Sequence, residues 1–407
     1  MPKLLTRKCW GSLLMVAGTA IGAGMLALPM VTSEMGFFYA VVIFVSCYAF
    51  MIINSFLLIE ASFYSQRKDA NIVTIAGERL GRIGQFVAWL CFLGLLYAVA
   101  AAYISAGGAL VGRLLQQVVG QQFDVSWGMI VFIALFSFIV LFGMRSIDII
   151  NRILLVGLIG AFVYLFFNIV PHIEPSHFVL GEVSYIWAAI PVVILSFTSN
   201  IIIPSLKNYL NNNIKMLTQA VIFGSLIPLL FYILWQFVIM GVLPIYGDQG
   251  LIAIEHSAYP VNTLTQTLQS YLGLSQAAQA VGIFSICALA TSFLAVLISL
   301  VDFLKDGIRV NKLRGKTAYL ALAVIPPLLF ALFFPKGFLI ALGYAGIFVA
   351  ILYGILPALM VWRARYHDRL TPELRVFGGK PLLCVILIAS VAIILFQLAA
   401  SVGLLPI

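Results

Sequence analysis

The sequence predicts an all-α polytopic membrane protein with eleven transmembrane helices, two of which are broken at mid-membrane depth. Composition and apolar patterning both indicate this class. Hydrophobic residues make up 63% of the 407 residues and charged residues only 9%, whereas a soluble domain carries about 25% charged residues. Apolar runs long enough to cross a hydrocarbon core of about 30 Å recur along the whole chain. Most of the surface is therefore expected to face a lipid bilayer.

The apolar runs define the predicted spans in order. They lie at residues 9–31, 37–63, 84–112, 127–143, 149–170, 185–210, 216–240, 277–303, 318–334, 338–361 and 382–403. Residues 69–80 and 246–273 are too polar to span, and the second stretch is expected to form a short helical lid. The motif Gly108-Ala-Leu-Val-Gly112 in span 3 is expected to pack closely against another helix.

The basic residues predict the orientation. With the N-terminus in the cytoplasm, 21 of the 23 Lys and Arg fall in cytoplasmic segments, and only Arg113 and Lys336 lie outside. Such asymmetry is typical of a correct span count. Because eleven is odd, the C-terminus is expected outside. The net charge of +9 then reflects topology, and no nucleic-acid partner is expected.

Two spans carry helix-poor residues where free backbone groups are costly unless they line a cavity or bind a ligand. Span 1 contains Gly18-Thr-Ala-Ile-Gly-Ala-Gly24, and span 6 contains Ser196-Phe-Thr-Ser-Asn200. Span 6 comes five spans after span 1, so the two enter the membrane from opposite sides, as in an inverted-repeat transporter. The predicted units are residues 1–170, residues 185–361 and an extra span at 381–407. Alternatively, Gly18 and Gly22 serve only close helix packing.

The run from Gly18 to Pro29, Gly-Thr-Ala-Ile-Gly-Ala-Gly-Met-Leu-Ala-Leu-Pro, resembles the signature of the bacterial hydroxy and aromatic amino acid permease family. Similar stretches are Leu57–Glu60, Gly224–Trp235 and Ala290–Leu294 with Asp302. Family members commonly carry Gly-Phe-His-Gly in the span 6 break, whereas this chain has Thr-Ser-Asn-Ile at 198–201. That departure leaves the substrate choice open, together with any proton role at Asn200.

The resemblance implies an amino-acid/polyamine/organocation (LeuT-type) fold, a 5+5 inverted repeat plus one extra helix. It implies secondary active import of an aromatic amino acid, tyrosine first, across the bacterial inner membrane. Tryptophan or a hydroxy amino acid is the alternative substrate. The coupling ion is H+ by family expectation, with Na+ also open. No cofactor is expected, and a monomer is sufficient, with the oligomeric state left open.

An amino acid presents a carboxylate, an ammonium group and a side chain. Half-helix N-termini near Gly22–Gly24 offer amides to the carboxylate, and carbonyls before the breaks offer acceptors to the ammonium. Phe197, Tyr97 and Tyr103 are the expected walls for an aromatic ring. The predicted substrate-binding residues are Gly18, Thr19, Ala20, Gly22, Ala23, Gly24, Tyr97, Tyr103, Ser196, Phe197, Thr198, Ser199 and Asn200.

Hydroxyls in span 8 suggest a cation site. Thr291 and Ser292 with the Ala288 carbonyl resemble a sodium site of related transporters, in which the Gly18 and Ile21 carbonyls complete the set. Span 5 contains no Lys that would replace the ion. Alternatively, the hydroxyls bond back to their own helix.

Glu60 at the end of span 2 is a candidate proton relay, because an ionisable group at membrane depth is a functional hypothesis by default. It is also placed to pin the helix end or to pair with a basic residue.

Two other classes of function compete with a transporter. A channel needs a pore loop lined by rings of carbonyls or charges, and the sequence contains no such loop. An intramembrane enzyme needs clustered catalytic groups; the four His lie in loops without a catalytic motif. The five Cys lie in apolar segments without a His partner. No catalytic residue, and no metal beyond Na+, is therefore expected.

Overall fold

The computed structural model describes residues 7–22, 24–65, 67, 70–119, 124–273, 276–307, 316–334, 337–371 and 373–404. Within these ranges the chain is helical, and β-structure is limited to one antiparallel bridge between Gly36 and Leu180. The helices are α1 Arg7–Ala20, α2 Gly24–Val31, α3 Gly36–Phe63, α4 Ile72–Val119, α5 Val125–Leu141, α6 Met144–Ile169, α7 Ile186–Ser196, α8 Ile203–Tyr209, α9 Ile214–Val242, α10 Leu251–Glu255, α11 Pro260–Leu272, α12 Gln276–Gly307, α13 Lys316–Phe333, α14 Gly337–Val349, α15 Leu356–Trp362 and α16 Gly379–Ser401. Two π-helical turns, Ala350–Ile355 and Arg363–His367, flank α15.

The predicted spans coincide with these helices. In the described part of the chain, eight helices are long and apolar enough to cross a membrane, and the bent pair α1 and α2 makes a ninth. Two shorter apolar helices, Val125–Leu141 and Thr317–Phe333, lie at predicted spans 4 and 9. A count of eleven requires both to cross, so it stays a prediction, as do the repeat boundaries.

The first predicted break is present. The axes of α1 and α2 are bent by 52°. The Ile21 amide still donates to Ala17 O at 2.9 Å, and the Met25 amide donates to Gly22 O at 3.1 Å. The chain therefore turns within a few residues, and carbonyls at the end of α1 are released from the helical pattern. Ala23 lies outside the described residues.

The second break has the same form. Helix α7 ends at Ser196, a 3₁₀ turn covers Asn200–Ile202, and α8 resumes at Ile203. Pro204 stands in the first turn of α8, where its missing N–H removes no helical hydrogen bond. Both broken spans are therefore built from two half-helices whose facing ends lie inside the bundle.

The polar segment before span 3 is helical but distinct from the span. Gly81 has φ 75° and ψ −165°, which interrupts α4. Because only glycine adopts that backbone conformation readily, residues 72–80 form a separate helix that meets the long membrane helix at an angle. The predicted lid region contains α10 and α11.

Helix α4 packs against α5 through the predicted glycine motif. A Cβ on Gly108 would lie 2.6 Å from the Met129 Cα, and one on Gly128 would lie 2.6 Å from the Gly112 amide nitrogen. The two backbones are therefore in direct contact, which confirms the packing role of Gly108 and Gly112. Gly128 on α5 is the partner that the motif did not identify.

We expect Gly128→Ala to lower the free energy of unfolding by about 2 kcal/mol, because the added methyl group meets backbone atoms that cannot rotate away. Thermal unfolding of the purified protein measures the loss. Gly160→Ala is the matched control, because a Cβ at Gly160 has no atom within 4 Å. Equal melting temperatures for the two variants would contradict this packing.

Candidate functional site

The facing ends of the two broken spans lie next to each other. Helix α2 packs against α7, and a Cβ on Gly24 would lie 3.0 Å from Ser196 Oγ. Glycine at position 24 therefore lets the start of α2 approach the end of α7. The predicted amide donors of span 1 and the predicted carbonyl acceptors of span 6 belong to one region of the protein.

Tyr232 on α9 joins the two breaks. Its hydroxyl oxygen lies 2.6 Å from Ala20 O and 2.8 Å from Ser196 O. Ala20 is the last residue of α1, and Ser196 is the last residue of α7. The Tyr232 side chain is wholly buried. Sequence reasoning missed it, although it lies in the run Gly224–Trp235 that carried part of the family resemblance.

Helix α9 also holds the far end of span 1. One turn beyond Tyr232, Gln236 Nε2 donates to Thr32 Oγ1 at 2.7 Å, and Thr32 immediately follows α2. Two turns before Tyr232, a Cβ on Gly224 would lie 2.8 Å from Leu13 O of α1. One face of α9 thus contacts both halves of the first broken span.

The predicted aromatic wall residues take different positions. Phe197 is only 3% exposed, and its ring meets those of Tyr232 and Tyr48 edge to face, at centroid distances of 5.1 and 6.2 Å. Tyr103 is buried and its hydroxyl hydrogen-bonds with the Ser292 side chain. Tyr97 instead donates to Leu322 O at 2.9 Å, so its hydroxyl is directed to α13. The structure brings Phe197 and Tyr103 to the break region.

The polar residues of the span 6 break are mostly satisfied locally. Ser196 Oγ donates to Val192 O at 3.0 Å, and Thr198 Oγ1 donates to Ile194 O at 3.1 Å. Ser199 is buried. In span 1, Gly18 and Thr19 are exposed, and Thr19 Oγ1 donates to Met15 O at 2.7 Å. These hydroxyls follow the usual pattern of bonding back to their own helix.

Asn200 is part of a buried polar group with span 2. Its Oδ1 accepts from Ser55 Oγ at 2.8 Å, and both residues are buried. The neighbouring Asn54 is also wholly buried, and neither of its amide atoms has a hydrogen-bond partner among the residues that the structure describes. A buried amide without partners is unfavourable by itself. The contact of α3 with the second break was not predicted from sequence.

The predicted cation residues also lie beside the first break. A Cβ on Gly22 would overlap Ser292 Oγ, so the span 8 hydroxyl reaches the backbone of span 1. Thr291 Oγ1 donates to Cys287 O at 2.9 Å and to Ala288 O at 3.1 Å. That is the back-bonded alternative for Thr291. Among the described residues, no group of three His, Cys, Asp or Glu is placed to hold a metal ion.

Glu60 is wholly buried in an ion pair with Arg365. Arg365 Nε donates to Glu60 Oε1 at 2.6 Å, and its terminal nitrogen donates to Oε2. The Tyr64 hydroxyl and the Val376 amide each donate to the same carboxylate at 2.9 Å. The Glu60 carboxylate thus accepts four hydrogen bonds from three residues. This geometry corresponds to the structural alternative for Glu60, and the relay role stays a prediction.

The half-helix α8 is fastened close to this ion pair. Lys207 Nζ donates to Ser62 O at 2.5 Å and lies 4.5 Å from the centroid of the Phe63 ring. Both acceptors belong to the last turn of α3, where a cation meets the negative end of the helix dipole. The second half of span 6 is thereby attached to the end of span 2.

At the opposite end, which the charge pattern predicts to be outer, carboxylates approach each other. Burial and the negative charge of Glu34 raise the pKa of Glu255, at the end of α10, to about 8. Burial raises the pKa of Glu34 in turn, although His256 and a hydrogen bond from Tyr185 oppose the shift. Glu255 therefore holds its proton at pH 7 and loses it as the pH rises through about 8.

We expect Gly22→Ala and Ser292→Ala to be coupled in stability. In the wild-type background the methyl group added at position 22 would displace Ser292 Oγ. The distance from that methyl group to Ser292 Cβ would be an ordinary 3.4 Å. Gly22→Ala should therefore lower the free energy of unfolding by about 1 kcal/mol in the wild-type protein, and by clearly less in a Ser292→Ala protein. Melting temperatures of the four proteins measure this coupling, with Gly160→Ala as the control. Strict additivity would show that the two residues are not in contact.

We expect Glu60→Gln to lower the free energy of unfolding by about 3 kcal/mol, because it leaves the Arg365 charge buried without a counter-charge. Adding Arg365→Met should restore part of the loss. Thermal unfolding and uptake are measured together. A Glu60→Gln protein with wild-type stability and no uptake would contradict the structural role and support the proton relay.

Comparison with known proteins agrees with this architecture. The chain is 35% identical to "Tyrosine-specific transport system 1" of Haemophilus influenzae over 403 residues, which covers 98% of each chain. It is 31% identical to "Tryptophan-specific transport protein" of Pseudomonas aeruginosa, over 97% of this chain and 95% of that one. The inward-facing conformation of Mhp1 superimposes with a TM-score of 0.65 at 14% identity, covering 98% of this chain and 91% of Mhp1.

The structural likeness to Mhp1 shows a shared fold. The sequence likeness extends over nearly the whole chain and includes both breaks. Residues 5–397 match the tryptophan/tyrosine permease family, and the chain belongs to that family.

Proposed function

We propose that this protein imports tyrosine across the bacterial inner membrane by secondary active transport. The observation that carries the proposal is the meeting of two half-helix C-termini, at Ala20 and Ser196, within the interior of the bundle. Both carbonyls lie at negative ends of helix dipoles, which suits a cationic ammonium group. The next residue in the second break is the buried aromatic Phe197.

The N-terminus of α2 is the complementary position for the carboxylate of the substrate. The start of α2 presents amides that lack helical acceptors, and such N-termini bind carboxylates. Gly24 keeps this end free of a side chain beside Ser196. An amino acid held between α2 and the ends of α1 and α7 would have both charged groups matched by backbone atoms, with no acidic or basic side chain required.

The relatives favour an aromatic side chain. The tyrosine-specific relative is 35% identical and the tryptophan-specific one 31% identical, and tyrosine is therefore the first candidate. Tyr103 and Phe197 provide aromatic edges near the breaks. A permease for tryptophan or a hydroxy amino acid is the alternative. A channel is less favoured, because the described residues form two facing half-helix ends and no selectivity filter.

The coupling ion has two candidate positions. Ser292 beside Gly22 supports a sodium site, completed by the carbonyls of Gly18, Ile21 and Ala288. Glu255, with its pKa raised to about 8, is a candidate proton acceptor at the outer end. Thr291 is bonded to its own helix and would have to release those bonds to bind an ion.

We expect purified protein in proteoliposomes to accumulate labelled tyrosine saturably when an inward cation gradient is imposed. Unlabelled tyrosine should compete fully, tryptophan partly and glutamine little. Uptake that rises linearly with concentration and ignores the gradient would contradict a symporter. Stronger competition by another amino acid would correct the substrate and leave the mechanism intact.

Matched variants identify the ion in the same assay. Uptake driven by Na+ should fall at least tenfold in Ser292→Ala and persist in Glu255→Gln, whereas uptake driven by H+ should show the reverse pattern.

A further inference from the structure

The carbonyls that end α1 and α7 both lie within hydrogen-bond distance of the Tyr232 hydroxyl. Each helix ends in a carbonyl that carries the partial negative charge of its dipole. Two such ends repel when brought together inside a low-dielectric bundle. Among the described residues, the hydroxyl of Tyr232 lies within hydrogen-bond distance of both oxygens, which share its one proton. The phenol therefore supplies the proton that lets the two ends approach.

The spacing that results is suited to one nitrogen atom. Oxygens that lie 2.6 Å and 2.8 Å from a single atom are at most 5.4 Å apart. Two acceptors of one ammonium nitrogen, at about 2.9 Å each, are separated by less than about 6 Å. The separation that Tyr232 imposes on Ala20 O and Ser196 O is thus within the range that one ammonium group bridges.

The Tyr232 hydroxyl has fewer protons to donate than the Ala20 and Ser196 carbonyls have lone pairs to accept them. A phenol has one proton, whereas the two carbonyl oxygens together have four lone pairs. The hydroxyl therefore leaves most of the acceptor capacity of Ala20 and Ser196 unused. An ammonium group brings three protons and a positive charge, and hydrogen bonds to a charged donor are the stronger kind.

The phenol is held in place by rigid neighbours. Its ring packs edge to face on Phe197 at 5.1 Å. Gly224, two turns earlier on α9, brings that helix against the backbone of α1, and Gln236, one turn later, bonds Thr32. Because Tyr232 is wholly buried, its hydroxyl has a fixed position from which the two carbonyls are aligned.

From this geometry we propose that Tyr232 is a positioning residue that holds the Ala20 and Ser196 carbonyls together as the acceptor pair for the substrate's ammonium group. The inference rests on the proposed amino-acid substrate and adds the residue that builds the amine subsite. It assigns to the hydroxyl a role that acts on the amine of the substrate and leaves the carboxylate and ring contacts unchanged.

The test compares two ligands in three proteins. The ligands are tyrosine and the hydroxy acid in which its ammonium is replaced by a hydroxyl group. The proteins are the full wild-type chain, Tyr232→Phe, and Thr265→Val, each purified in lipid nanodiscs. Thr265→Val is the control because it removes another buried interhelical hydrogen bond, the one between Thr265 on α11 and Ser285 on α12. Kd is measured by equilibrium binding and competition.

Tyr232→Phe is expected to weaken tyrosine binding about tenfold and to change hydroxy-acid binding less than twofold, with Thr265→Val changing neither. Equal weakening of both ligands, or unchanged tyrosine binding, would overturn the proposal. Failure of the wild-type protein to bind tyrosine would count against the proposed substrate instead, and the comparison then uses the amino acid that does bind and its own hydroxy acid.

A second measurement needs no ligand. Hydrogen exchange of peptides covering residues 17–22 and 194–201 is expected to be faster in Tyr232→Phe than in wild type, because the two helix ends separate when the shared donor is removed. The Thr265→Val control should match wild type in these peptides. Unchanged exchange in Tyr232→Phe would show that the ends are held by other contacts and would overturn the positioning role.

Discussion

Backbone groups released inside a membrane protein must find partners, and this constraint governs the centre of the bundle. Ending α1 at Ala20 and α7 at Ser196 leaves carbonyls without helical donors. The Tyr232 hydroxyl, 2.6 Å from one and 2.8 Å from the other, offers its one proton to both and leaves acceptor capacity for a solute. The same unsatisfied groups that make a broken helix unfavourable also make it a binding site, because a charged solute supplies what the backbone lacks.

The breaks are supported from three sides. Helix α9 holds span 1 through Gly224, Tyr232 and Gln236. Helix α12 brings Ser292 against Gly22, and α3 brings Ser55 to Asn200. Each support is a close backbone approach or a buried hydrogen bond, both of which require fixed geometry. The unwound segments are therefore positioned by straight helices, as a site that must be precise needs to be.

The end of the bundle that is rich in basic residues is tied by charge. Glu60 and Arg365 form a buried pair with backbone and tyrosine partners, and Lys207 fastens α8 to the end of α3. Because α8 is the second half of a broken span, that ammonium–carbonyl bond links the break to the end of α3. The opposite end carries Glu34 and Glu255, whose ionisation depends on pH. The two ends thus differ: one has a buried ion pair, and the other has carboxyl groups whose pKa values are raised.

The sequence by itself determined the class, the order of the helices and the positions of both breaks. Apolar length and the clustering of basic residues follow directly from the thickness and dielectric of the bilayer. Helix-poor residues such as Gly22 and Ser196 mark breaks by local backbone preference. The resemblance of the Gly18–Pro29 run pointed to the family that residues 5–397 match.

The tertiary structure decided which side chains meet. It paired Glu60 with Arg365, 305 residues away, and placed Tyr232 across two breaks separated by 176 positions in the chain. It also turned Tyr97 toward α13 and Tyr103 toward Ser292, although both occupy the same helix. Such pairings depend on how helices rotate and cross when they pack. The local helix propensity of a segment contains no information on those angles. The length and polarity that place a helix in the membrane, by contrast, can be read from the residues of each segment.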